Sequence, residues 1–65
     1  MKFEYMRKLP EYGKVIGEFR IIDDGVPFDE ESFVKFAKAE MHDDAPFGCT
    51  VQRGTDRAYL TIYID

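Results

Sequence analysis

The last nine residues alternate more strictly than any other stretch of this chain, and the alternation decides what can accommodate them. Ala58, Leu60, Ile62 and Ile64 fall on one side of an extended backbone, and Arg57, Tyr59, Thr61 and Tyr63 on the other. Side chains of a strand project to opposite faces with a period of two, so this segment belongs to a sheet that buries one face. One-sided sheets are antiparallel as a rule, and their apolar face needs a cover.

A single segment has the helical period to provide that cover. Phe33, Ala37 and Met41 recur at four-residue steps, flanked by Val34 and Phe36, while Glu31, Lys35 and Lys38 lie on the opposite side. Its start is marked by Asp29, whose carboxylate is expected to accept backbone N–H groups of the first turn, and by Glu30 and Glu31 at the positive end of the helix dipole. Phe28 and Phe33 are spaced as a hydrophobic staple. Glu31 and Lys35 have the order of a stabilising i,i+4 ion pair. Asp43, Asp44, Ala45 and Pro46 end the helix, because a residue before proline avoids the α region.

The remaining segments read as strands. Residues 2–9 place Phe3, Tyr5 and Leu9 on one face and Lys2, Glu4, Met6 and Lys8 on the other, with Pro10-Glu11-Tyr12-Gly13 as the turn. Residues 14–22 divide into Val15, Gly17, Phe19 and Ile21 against an outward set of Ile16, Glu18, Arg20 and Ile22. A turn at Asp23-Asp24-Gly25 follows. Residues 47–53 and 57–65 form a second hairpin around Gly54-Thr55-Asp56. The expected architecture is α+β, in the order β-hairpin, helix, β-hairpin (ββαββ), with an antiparallel sheet and one helix packed on one face. Residues 1–65 make a single domain, and the strand order stays open.

Charge is unevenly distributed along this order. Between Asp23 and Asp44 stand Asp23, Asp24, Asp29, Glu30, Glu31, Glu40, Asp43 and Asp44 against only Lys35 and Lys38, a net of −6 in a chain whose total is −4. Glu40, Asp43 and Asp44 sit where the helix dipole disfavours negative charge by about 0.3–1 kcal/mol each, so local stability does not account for them. The two acidic groups are separated by a helix of roughly 18 Å, a spacing suited to gripping two basic patches or to mimicking part of a phosphate backbone. An acidic chain is ill matched to nucleic-acid phosphates, so direct nucleic-acid binding is not expected. The bland alternative is that these residues only cap a helix, make a turn and solvate a surface.

Chemically competent groups are few. One histidine, His42, and one cysteine, Cys49, flank the helix-to-strand connection, but Cys49 is in phase with Phe47 and Val51 on the apolar side of its strand, where a free thiol behaves as a small hydrophobe. No phosphate loop, dinucleotide fingerprint or triad spacing occurs, and neighbouring acids such as Asp23-Asp24 or His42-Asp43-Asp44 seldom converge on one metal ion. The expectations are no catalysis, no cofactor and no metal. A lone cysteine and the lack of a leader or of an apolar span predict a soluble, cytoplasmic protein without membrane association. Tyr59 and Tyr63, with Arg57, offer an aromatic sheet face that suits a partner or a second copy of the chain.

In size, acidity and scarcity of catalytic groups, the chain resembles the very small single-domain inhibitors that phages encode, anti-CRISPR proteins among them. The likeness is one of type and attaches to no individual residue. It implies a non-catalytic binder that inhibits or modulates a larger basic, nucleic-acid-binding protein. Its contact residues would be Asp23, Asp24, Asp29, Glu30, Glu31, Glu40, Asp43, Asp44, Tyr59 and Tyr63. The alternative is an assembly subunit that forms a homodimer through the sheet face or an edge strand.

Overall fold

Two hairpins joined by a helix merge into one sheet when a strand of the second pairs with a strand of the first. In the computed structural model, which describes residues 1–42 and 48–63, the strands are β1 (Lys2–Glu11), β2 (Lys14–Ile22), β3 (Cys49–Arg53) and β4 (Arg57–Tyr63), with helix α1 (Glu30–Met41) between the hairpins. The sheet is antiparallel throughout, in the order β1-β2-β4-β3. The two strands with the most regular alternation, β2 and β4, therefore lie at the centre, where both of their edges are hydrogen-bonded. The fold is α+β of the ββαββ kind, with the helix on one face of the sheet. Asp43, Asp44, Ala45, Pro46, Phe47, Ile64 and Asp65 lie outside the described residues.

The helix covers the face that the alternation marks. Phe33, Ala37 and Met41 are buried against Phe19, Ala58, Leu60 and Ile62. Phe33 is the centre of an aromatic cluster, with ring centroids 5.0 Å from Phe3, 5.3 Å from Phe19 and 5.9 Å from Phe28, so the staple is formed. At the other end of the helix Met41 lies directly on Gly17: a Cβ there would come within 2.6 Å of Met41 Sδ and 2.9 Å of Phe19 Cε1. The missing side chain of Gly17 leaves the space that the end of the Met41 side chain fills. His42 then closes the helix with φ 54, and its N–H donates to the Ala39 carbonyl at 3.2 Å.

Several local expectations are corrected. Asp29 is the N-cap residue, but its carboxylate accepts the Ser32 hydroxyl and makes no bond to a backbone N–H; only its carbonyl accepts, from the Phe33 N–H at 3.0 Å. A serine at the third helical position competes for the same oxygen atoms. No ion pair joins Glu31 to Lys35 among the described residues. The first turn is tighter than expected: β1 runs on through Pro10 and Glu11, and the loop is Tyr12-Gly13 alone, with Gly13 at φ 74. Proline is tolerated there because β1 is an edge strand.

The largest correction concerns Leu9. The pairing steps from Tyr5↔Phe19 to Arg7↔Glu18, so Met6 is an inserted residue, a β-bulge. Every later side chain of β1 changes face. Leu9 lies across from Ile16 on the helix-free side and not with Phe3 and Tyr5, while Arg7 lies across from Glu18.

Candidate functional site

The connection from β2 to α1 holds the first acidic group. Asp23 Oδ1 accepts the Gly25 N–H at 2.9 Å, and Asp24 Oδ1 accepts the Val26 N–H at 3.2 Å. Gly25, at φ 84, allows the loop to fold back on both carboxylates. Asp24 also meets the amino group of Met1, which, with the Val26 N–H, holds its carboxyl below the usual range. Asp29, Glu30 and Glu31 follow at once, and no lysine or arginine occurs between Asp23 and Val34. All five acids are exposed, as is Glu40 in the last turn of α1. Asp43 and Asp44, the other part of the second acidic group, lie outside the described residues. Beside Asp23 is an open cleft whose walls include Ile21, Val26 and Phe28, and the Arg53 guanidinium stands 4.6 Å above the Phe28 ring.

Four cations of the sheet are paired with carboxylates within the molecule, whereas Lys2 and Lys8 form no ion pair among the described residues. Arg7 Nε donates to Glu18 Oε1 at 2.8 Å, Lys14 lies 3.4 Å from Glu11, Arg20 3.9 Å from Glu4, and Arg57 3.3 Å from Asp56. By contrast, among the described residues no lysine or arginine forms an ion pair with Asp23, Asp24, Asp29, Glu30, Glu31 or Glu40. The acids of the connection and of the first helical turn are therefore matched by no lysine or arginine among the described residues, the Met1 amino group at Asp24 being the one cation that meets them, while four sheet cations have carboxylate partners.

On the helix-free face, Tyr59 and Tyr63 have different surroundings. The Tyr59 hydroxyl donates to Glu18 Oε2 at 3.0 Å and the residue is half-buried. Tyr63 is 42% exposed, its hydroxyl 3.5 Å from Thr50 Oγ1. Glu18, the residue shared by Arg7 and Tyr59, is only 9% exposed although no helix covers it. The Arg7 bond, then the Tyr59 bond, hold its carboxyl below the ordinary glutamate range, and the same contact raises the Tyr59 phenol. Sequence reasoning placed Glu18 outward but missed this three-strand network, because the Met6 bulge is what sets Arg7 beside it. The one available signal was the broken alternation around Met6.

His42 is exposed at the helix end, and Cys49 is half-buried on β3 against the core. Among the described residues no group of three or more His, Cys, Asp and Glu side chains is placed to hold a metal ion, and no helix is long and apolar enough to cross a membrane. Comparison with protein-family models, with curated proteins and with solved structures returns no match to the chain.

Proposed function

We propose that the protein is a non-catalytic binding module that inhibits or modulates a larger protein through a basic, nucleic-acid-binding surface of that partner. The observation that carries this reading is the difference in charge pairing. Acids Asp23, Asp24, Asp29, Glu30, Glu31 and Glu40 are exposed without lysine or arginine partners among the described residues, the Met1 amino group at Asp24 apart, whereas the cations Arg7, Lys14, Arg20 and Arg57 have carboxylate partners on the sheet or in its turns. Exposed like charges repel one another, and a basic surface of a partner relieves that repulsion and speeds encounter. The Asx turns at Asp23 and Asp24 fix two of these groups before a partner arrives, which reduces the ordering cost of binding.

The test begins with capture of a partner from a lysate of the cells that make the protein. Affinity and association rate are then measured at two ionic strengths for the wild type and for Asp23→Asn/Asp24→Asn. Asparagine keeps the carbonyl oxygen that accepts the loop N–H groups and removes the charge, and with it the ion pair of Asp24 to the Met1 amino group. The expected result is a slower association rate for the variant at low salt and convergence of the two proteins at high salt. Equal rates at low salt would leave these carboxylates as ordinary solvated surface.

A further inference from the structure

The two edges of the sheet are built differently. Edge strand β1 carries Lys2, Glu4, Arg7, Lys8 and Glu11, a bulge at Met6 and a proline at position 10. Charges, bulges and prolines are the devices that keep an edge from pairing with another chain. Edge strand β3, Cys-Thr-Val-Gln-Arg, has no proline and no bulge against β4, and Arg53 is its single charge.

The hydrogen-bond phase of β3 follows from its two ends. The Tyr63 N–H donates to the Gly48 carbonyl at 3.2 Å and the Gly54 N–H to the Arg57 carbonyl at 2.7 Å, so the pairs 48/63 and 54/57 are hydrogen-bonded ones. Such pairs alternate along an antiparallel ladder, which makes Thr50↔Thr61 and Gln52↔Tyr59 hydrogen-bonded as well. The N–H and C=O groups of Thr50 and Gln52 therefore point to β4, and those of Cys49, Val51 and Arg53 point away from it. Among the described residues nothing accepts from or donates to that outer row.

This row is complementary to itself. A two-fold axis at Val51 sets Val51 against Val51 of a second copy and each Cys49 against the other copy's Arg53. All three outward residues then fall in hydrogen-bonded pairs. Shifting the two strands by two residues in either direction leaves one outward residue of each copy without its pair. The antiparallel arrangement also keeps the two Arg53 side chains at opposite ends, and it brings the half-buried Val51 side chains together beside the core. From this we infer that β3 is a dimerisation edge, and that two copies join there into a continuous eight-stranded antiparallel sheet with isologous symmetry. The inference does not depend on the acidic connection, so either proposal can fail alone.

Two measurements test it. Sedimentation across a concentration series should show the 7.6 kDa chain doubling in mass. Amide exchange by NMR should show Thr50 and Gln52 protected at every concentration, and Cys49, Val51 and Arg53 becoming protected only as the dimer forms. Val51→Pro removes an outward N–H that β4 does not use, so the variant should fold and lose the dimer. If it fails to fold, the wild-type exchange pattern decides. Monomeric mass throughout, a doubled mass with the three outward amides still exchanging fast, or a folded Val51→Pro dimer would each overturn the inference. Protection of those amides only on adding lysate would mean a foreign strand in place of a second copy, and would overturn it too.

Discussion

The two faces of this sheet are made from the same strands yet held together by different means. The helix-side face is a continuous apolar layer in which Phe3, Phe19, Phe28, Phe33 and Phe36 pack ring against ring. Among the described residues no helix covers the opposite face, and its most buried members are polar: Glu18 at 9% and Thr61 at 6% exposure. There the cover is supplied by neighbouring strands, with Arg7 and Tyr59 closing over the Glu18 carboxylate from either side. An apolar layer gains stability in proportion to area and is indifferent to pH, whereas a carboxylate network depends on geometry and titrates.

The largest effect is expected from Phe33→Ala, at about 3–5 kcal/mol, because the ring is fully buried and is both staple and core. A domain of this size has little more stability than that to lose. A thermal or denaturant melt that moved by less than about 1 kcal/mol would mean that the helix is not held through this layer. Next comes Gly17→Ala, which forces a methyl against Met41 Sδ and should cost about 1–3 kcal/mol by overpacking. Much of that cost should vanish when the same change is made in a Met41→Ala background, since the closest atom is then gone. Additive costs in the double variant would place the strain elsewhere.

A smaller effect with a distinct signature is expected on the helix-free face. Glu18 has a folded-state pKa below its unfolded value, so its contribution is present above the ordinary glutamate range and is lost as pH falls through the lowered value. Tyr59 is shifted the other way, so its contribution holds below the ordinary phenol pKa and is lost as pH rises through the raised one. Urea midpoints of Glu18→Gln should fall below wild type near neutrality and approach it in acid. Tyr59→Phe should flatten the alkaline limb. A constant difference between Glu18→Gln and wild type from acid to neutral pH would show that the carboxylate charge is not what the network uses.

How far the sequence foretold this molecule divides along the same line. Period and apolar identity revealed the strands, the helix, its buried stripe and the staple, because burial of one face writes a repeating pattern into each segment. The position of Leu9 was hidden because a bulge adds one residue without any compositional mark beyond a broken alternation at Met6. The Asp29 carboxylate went to Ser32 because two local acceptor geometries compete, and composition does not choose between them. The Arg7–Glu18–Tyr59 network needs three strands in register, which no single segment encodes. In the acidic connection, residue identities were plain from the start, but the lack of lysine or arginine partners around them among the described residues emerged only when the sheet's own pairs were in place.

The acids of the connection and those of the sheet differ in their partners, and matched substitutions separate the two sets. Two variants remove the same charge from different places: Glu30→Gln/Glu31→Gln where the connection enters the first turn of α1, without a lysine or arginine partner among the described residues, and Glu4→Gln/Glu11→Gln on the sheet, where Arg20 and Lys14 are the partners. The association rate of each with the captured partner at low salt is the deciding measurement. The connection pair should slow association by about tenfold, and the sheet pair should change it little. Equal slowing by both would mean that only net charge matters, and no slowing by the connection pair would contradict the proposal outright.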